Sequence, residues 1–424
     1  MSESLNDRPD RQISLTGLLV FGLLASALAM PTVTDMSFWG LCLIAVLAMI
    51  QRRGLRPLES ADVYFLLWLS IWPLCLIALE ILHGPLISAL DRPLRMLFVV
   101  PLFLLFRAID LRQSWVGWGC FIGVTAGLVL FSQNPFITPE GNPRAQAFSG
   151  NPISYGQLML VLGCLGGLVW SARQSQQLTG LIMAALCVGF GLVGALLSGS
   201  RGVWLAVVPM LAPWFLSLQG RQARILLVGA GLLCIMTALI DSQMLLERWN
   251  EIAGTWKGAQ ELERTATTLE AKNSLDHRLT LWTFGWQMFH SAPWIGVGAA
   301  ELRTALDHQA DLGVLESGRV HLHNDALQML ASYGVAGLCA LCAFALGLLW
   351  MFVRRRGCSA RMGLALMLGL IFFGLTDSIM SNMNRVQIYT VLLALCAGAA
   401  RHEQMAQVNE RKESQDSQAG HCQA

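Results

Sequence analysis

His323 opens the one stretch of this 424-residue chain that reads as chemistry rather than packing. It begins His323-Asn324, runs nine residues, then reaches Gly334-Val335-Ala336-Gly337 inside a long apolar run. An ionisable imidazole held where a spanning helix meets water is a candidate for proton transfer. Two arginines join it. Arg201 lies in Ser198-Gly199-Ser200-Arg201-Gly202, a tight turn between apolar runs, and Arg278 in Asp276-His277-Arg278-Leu279, four residues before Trp282. Arginine presents a planar fork that pairs bidentately with phosphate oxygens, so two of them on the histidine's side suggest a pyrophosphate clamp. Each also has a plainer role: His323 as a hydrogen-bonded residue at a helix start, Arg201 as a lipid headgroup contact, Arg278 as a partner of Asp276. The three together are more specific than any one. Asp276, Asp325 and Asp377 are the carboxylates that could orient them, and Asp377 stands out in the otherwise apolar Gly374-Leu375-Thr376-Asp377.

Metal chemistry is the competing reading. His321-Leu322-His323 lacks the i, i+4 spacing of a helical histidine pair. No His-Glu-x-x-His, Asp-x-Asp or cysteine pair accompanies it, so no metal ligand set is expected.

The elements that must position these residues are apolar helices. Hydrophobic residues make up 54% of the chain and charged residues 13%, and the mean hydropathy is +0.54, which describes a polytopic membrane protein rather than a soluble domain. The basic residues fall in short clusters between apolar runs, so they report topology and not nucleic-acid binding. Apolar runs of spanning length number about twelve, near 13–30, 36–50, 62–82, 94–109, 115–131, 154–171, 178–198, 202–217, 225–241, 325–353, 361–376 and 386–400. With the N-terminus inside, 17 of the 29 basic residues fall on inside segments and five (Arg92, Arg95, Arg144, Arg201, Arg385) on short outside loops. That imbalance places both termini inside. The eleven cysteines lie in apolar runs or in basic and terminal segments and suggest no disulfide framework.

The expected organisation is therefore all-α, one membrane domain over 1–424. A large outer loop at 242–324 separates spans nine and ten, and a polar, disordered tail covers 401–424. Within the loop, Leu245-Leu246-Arg248-Trp249-Ile252 and Leu281-Trp282-Trp286-Phe289 are spaced for amphipathic helices on the bilayer surface. Residues 132–152, rich in Pro, Gly and Asn, are expected to be non-helical in part and to form a lid or wall.

In this combination the motifs resemble the O-antigen ligase and polymerase superfamily. These are Ser198-Gly199-Ser200-Arg201-Gly202 after a span, Arg278-x3-Trp282 running into Pro293-Trp294-Ile295-Gly296-Val297-Gly298, and His323-Asn324-x9-Gly334-x2-Gly337. The resemblance covers roughly residues 145–400. It implies an inner-membrane enzyme with its active site on the periplasmic side. Such an enzyme takes a glycan from undecaprenyl pyrophosphate and joins it to a sugar hydroxyl of lipid A-core, by inverting transfer without a nucleotide sugar, divalent metal or other cofactor. By the same resemblance Arg201 and Arg278 bind pyrophosphate, His323 is the base, and Asn324 fills a variable motif position. The large loop becomes periplasmic and the tail cytoplasmic.

The residue chemistry is consistent with that. A glycosyl pyrophosphate carries its own leaving group, so the needs are charge stabilisation on phosphate and a base for the acceptor hydroxyl. Competing assignments are an O-antigen polymerase or a protein O-oligosaccharyltransferase of the same superfamily. From another class comes a transporter or flippase with His323 and Asp377 as a proton relay, which the large loop and the lack of internal repeat disfavour.

Overall fold

A computed structural model describes residues 7–51, 57–84, 87–131, 133, 135–137, 143–173, 178–215, 274–312 and 321–421. The described helices are α1 (Asp7–Ser26), α2 (Pro31–Ile50), α3 (Ser60–His83), α4 (Ile87–Leu97), α5 (Val99–Ala108), α6 (Gln113–Leu130), α7 (Pro152–Arg173), α8 (Leu178–Leu197) and α9 (Arg201–Phe215). They continue with α10 (Ser274–Ser291), α11 (Ala299–Asp311), α12 (Asp325–Val353), α13 (Cys358–Gly374) and α14 (Met383–His421). A short antiparallel hairpin, β1 (Phe136–Ile137) with β2 (Pro143–Arg144), lies in the Pro- and Gly-rich stretch before α7.

The all-α, multi-span class holds. Among the described residues seven helices are long and apolar enough to cross a membrane: α2, α3, α6, α7, α8, α12 and α14. Three shorter apolar helices accompany them, Ile13–Ser26, α9 and α13. The expected fourth span, 94–109, is instead two short helices broken at Phe98. Pro101 supplies the reason, because it has no N–H to give the Leu97 carbonyl one turn back. The ninth expected span, 225–241, and the helix expected around Leu245–Ile252 lie outside the described residues. The Leu281–Phe289 pattern does fold as a helix, α10.

Helix α7 is the axle of the bundle: 94% of its most apolar 18-residue stretch is buried, against 39% in α2. Where α7 meets α8 the backbones touch. A Cβ on Gly163 would lie 2.8 Å from the Gly191 Cα, and one on Gly191 would lie 2.7 Å from the Met159 carbonyl oxygen. Small residues permit that approach, and close packing of this kind holds spans together where lipid removes the hydrophobic drive.

Helix α3 connects the two ends of the molecule. At its start Glu59 and Asp62 form a reciprocal capping box, and buried Asp62 accepts from Arg107 at 2.8 Å and Arg401 at 2.7 Å. At its far end the His83 Nε2 lies 3.0 Å from the Gly296 carbonyl oxygen, beside the segment that supports His323. The tail expected to be disordered is helical instead, because α14 runs on through Arg401 to His421. Arg401 also pairs with Glu59, and Glu403 accepts from the Ser359 hydroxyl at 2.7 Å. The stretch His402-Glu403-Gln404-Met405-Ala406-Gln407 is rich in good helix formers.

Outside the bundle, α10 and α11 share a small core of their own, made by Leu281, Leu302, Leu306, Leu322 and Ala331. That core joins the described part of the large loop to the start of α12.

Candidate functional site

His323 sits just before α12 with a positive φ of 51°, a conformation that is costly for a residue with a Cβ and persists only when its surroundings impose it. Three groups do so. Asn324 caps α12, its Oδ1 accepting from the Leu327 N–H at 3.0 Å, while its Nδ2 donates to the Leu375 carbonyl at 3.1 Å. Trp282 of α10 donates its indole N–H to the Leu322 carbonyl at 2.9 Å. The Leu322 N–H in turn donates to Gln328 at 2.9 Å.

The turn after α13 brings Asp377 to the ring: its Oδ1 lies 3.4 Å from the His323 Nδ1. That is close enough for charge to act, although no aligned hydrogen bond reaches this buried nitrogen. The other carboxylate oxygen receives Arg385 at 2.5 Å and the Gln157 amide at 3.3 Å. Burial by itself would raise the Asp377 carboxyl, but the Arg385 guanidinium, with His323 and His321 beside it, holds it well below the usual carboxylate range. Asp325 belongs to the same assembly, its Oδ1 accepting from the Ile379 N–H at 3.1 Å. Three consecutive residues, His323, Asn324 and Asp325, thus all address the 375–379 turn.

Arg201 opens α9 and is half-buried. Its turn relies on Gly199 at φ 60° and on Arg144, which donates to the Ser198 carbonyl at 2.8 Å and to the Ser200 hydroxyl at 2.9 Å. A Cβ on Gly202 would collide with the Thr376 hydroxyl, so the Arg201 turn abuts the residue preceding Asp377. Arg278, also half-buried, lies on α10 one turn before Trp282, on the face from which that indole reaches the His323 loop. The site therefore draws on the turn before α9, on α10, on the start of α12 and on the turn after α13.

The second half of the histidine motif has a structural meaning. Gly334 interrupts α12 with φ 63° and ψ −160°, and residues 293–298 dock into the break. Val297 and Gly298 donate to the carbonyls of Ala331 (3.1 Å) and Ser332 (2.8 Å), while Val335 and Ala336 donate to those of Pro293 (2.8 Å) and Trp294 (3.1 Å). The interruption frees backbone groups inside the helix, and this loop satisfies them.

His321, His323 and Asp377 each offer one ligand atom within 4.8 Å of the others, so they could hold a metal ion. The Arg385 pairing already occupies one oxygen of that carboxylate.

His323, Asn324, Asp377, Arg201 and Arg278 stand out in the sequence, whereas Arg144 and Arg385 read there as loop charges and Gln157 as one polar residue in an apolar run. Arg385 stands one residue before the last apolar run, where its charge reads as a loop charge, and only the fold takes it to 0% exposure.

Residues 184–342 match the family described as O-antigen ligase, which supports the resemblance to that superfamily. The matched stretch contains Arg201, Arg278, His323, Gly334 and Gly337, and ends before Asp377 and Arg385. No curated protein matches the chain.

Proposed function

We propose, from the O-antigen ligase match over residues 184–342, that this chain is a metal-independent inverting glycosyltransferase. It moves a glycan from undecaprenyl pyrophosphate to a sugar hydroxyl of lipid A-core, at the periplasmic face of the bacterial inner membrane. The observation that carries the reading is the meeting of His323 with a carboxylate held ionised, Asp377, 3.4 Å away.

The roles follow from that pairing. Asp377 faces Nδ1 and so favours the tautomer with its proton there, leaving the lone pair on Nε2 for the acceptor. The acceptor hydroxyl gives its proton to Nε2 as its oxygen attacks the anomeric carbon. The bond from that carbon to the pyrophosphate oxygen breaks, and its electron pair leaves with the pyrophosphate. Arg201 and Arg278 balance the charge that develops on the leaving group, which otherwise calls for a cation. One displacement with a base and no protein nucleophile inverts the anomeric centre.

Purified enzyme reconstituted with lipid-linked glycan and core lipid tests the assignment. Transfer to the core lipid is the expected result. Elongation of the donor alone makes the chain a polymerase of the same superfamily.

A further inference from the structure

Arg385 lies in the first turn of the last membrane-length helix, fully buried. A guanidinium in such a place persists only where partners satisfy its donors. Its two terminal nitrogens have four, the Asp377 carboxylate at 2.5 Å, the Gln157 side-chain oxygen, the Ser378 carbonyl at 3.0 Å and the Ser381 hydroxyl at 2.6 Å, while its buried Nε–H has no hydrogen-bond partner among the described residues. Three of these belong to the short turn between α13 and α14. Gln157, from the central helix α7, closes the arrangement by also donating to the Asp377 Oδ2 at 3.3 Å.

The consequence for Asp377 is directional. Its Oδ2 is engaged by Arg385 and Gln157, so Oδ1 is the oxygen left to face His323. We infer that Arg385 is a positioning residue for His323, acting through Asp377, with Gln157 fixing the same carboxylate from α7. Arg385 does not reach the substrate; it sets which oxygen meets the imidazole and keeps the turn carrying it in place. The inference rests on His323 acting as the base.

A bundle staple would also bury an arginine here, and the two roles separate in kinetics. In the reconstituted assay with lipid-linked glycan and core lipid, Arg385→Met and Asp377→Asn are each expected to lower kcat by about 10- to 100-fold. Both KM values should stay within about threefold, the pattern of a group needed only in the transition state. The double variant should be no worse than the poorer single, since the residues act in series. Arg385→Lys, which keeps the charge, should recover a large part of the loss.

Losses that multiply in the double variant, or a fall in folded protein with unchanged kcat, would overturn the inference and leave Arg385 a staple. Should Arg385→Met not fold, Gln157→Leu carries the test, because both charges remain and one hydrogen bond to each is removed. It should lower kcat with KM unchanged, and a parent-like kcat overturns the proposal. His323→Ala in the same assay keeps the two readings apart. If that variant is active, the base assignment fails; if it is inactive while Arg385 and Asp377 act independently, only this inference fails.

Discussion

Gly296 and Gly334 pack backbone against backbone. A Cβ on Gly296 would fall on the peptide joining Ser332 to Tyr333, and one on Gly334 on the peptide joining Trp294 to Ile295. Both have positive φ, 72° and 63°. The docked loop and the helix break are one structural unit, and that unit holds the start of α12 where His323 stands.

Alanine at either position should therefore cost more than the left-handed conformation alone, about 1–2 kcal/mol, because backbone must also move. Gly84→Ala is the matched control, with φ 96° and nothing within 4 Å of the added Cβ. Thermal melts in detergent should show a clearly larger drop for Gly296→Ala and Gly334→Ala than for Gly84→Ala. Equal drops would mean that the interdigitation contributes nothing.

Arg201→Lys and Arg278→Lys keep the charge and lose the bidentate fork. Transfer should fall at least about tenfold in each, with melting temperature unchanged. If both lysine variants transfer glycan as the parent does, the pyrophosphate clamp is wrong and these arginines are structural.

Asp377 gives a pH prediction for stability. Its carboxyl is held below the usual range, so its pairing stabilises the fold at every pH above the unfolded carboxylate value of about 3.9, and that stability is lost only as pH falls through the depressed folded value. Asp377→Asn leaves Arg385 buried without its counter-charge, a loss of about 3–5 kcal/mol. The melting gap between parent and variant should not shrink from pH 8 to pH 5, because the carboxylate stays ionised throughout that range. A gap that closes between pH 6 and pH 5 would show a carboxyl titrating in its ordinary range.

The sidedness of the site is open to labelling. A single cysteine at exposed Asp311, at the end of α11, in a cysteine-free background, should react with a membrane-impermeant reagent on spheroplasts. Labelling only after permeabilisation would put the loop, and the site with it, on the cytoplasmic side.

The apolar helices among the described residues and the histidine motif were legible because hydropathy and spacing are local properties. Asp377 was legible as a lone carboxylate in an apolar context. Its partner Arg385 was not, because a charge-counting rule assigns an arginine near a span end to a loop, and only the folded turn at 377–381 takes it inside. Gln157 carried no signal at all: a glutamine in an apolar run acquires meaning only from the carboxylate that α7 brings to it. The break of the 94–109 run at Phe98 was readable from Pro101, whereas the helical continuation past Arg401 depends on the contact with Asp62 from the far end of the sequence.

The most direct test compares His323→Ala with His321→Ala and with EDTA-treated parent, all reconstituted with lipid-linked glycan and core lipid. A base contributes typically about 10²–10⁴-fold, so His323→Ala should give no product on a gel while remaining folded and able to bind donor. His321→Ala should retain most of its transfer, and the chelated parent should be fully active. Transfer by His323→Ala would contradict the base assignment. Loss on chelation with recovery on added divalent ion, together with failure of either histidine variant, would replace it with a metal held by His321, His323 and Asp377.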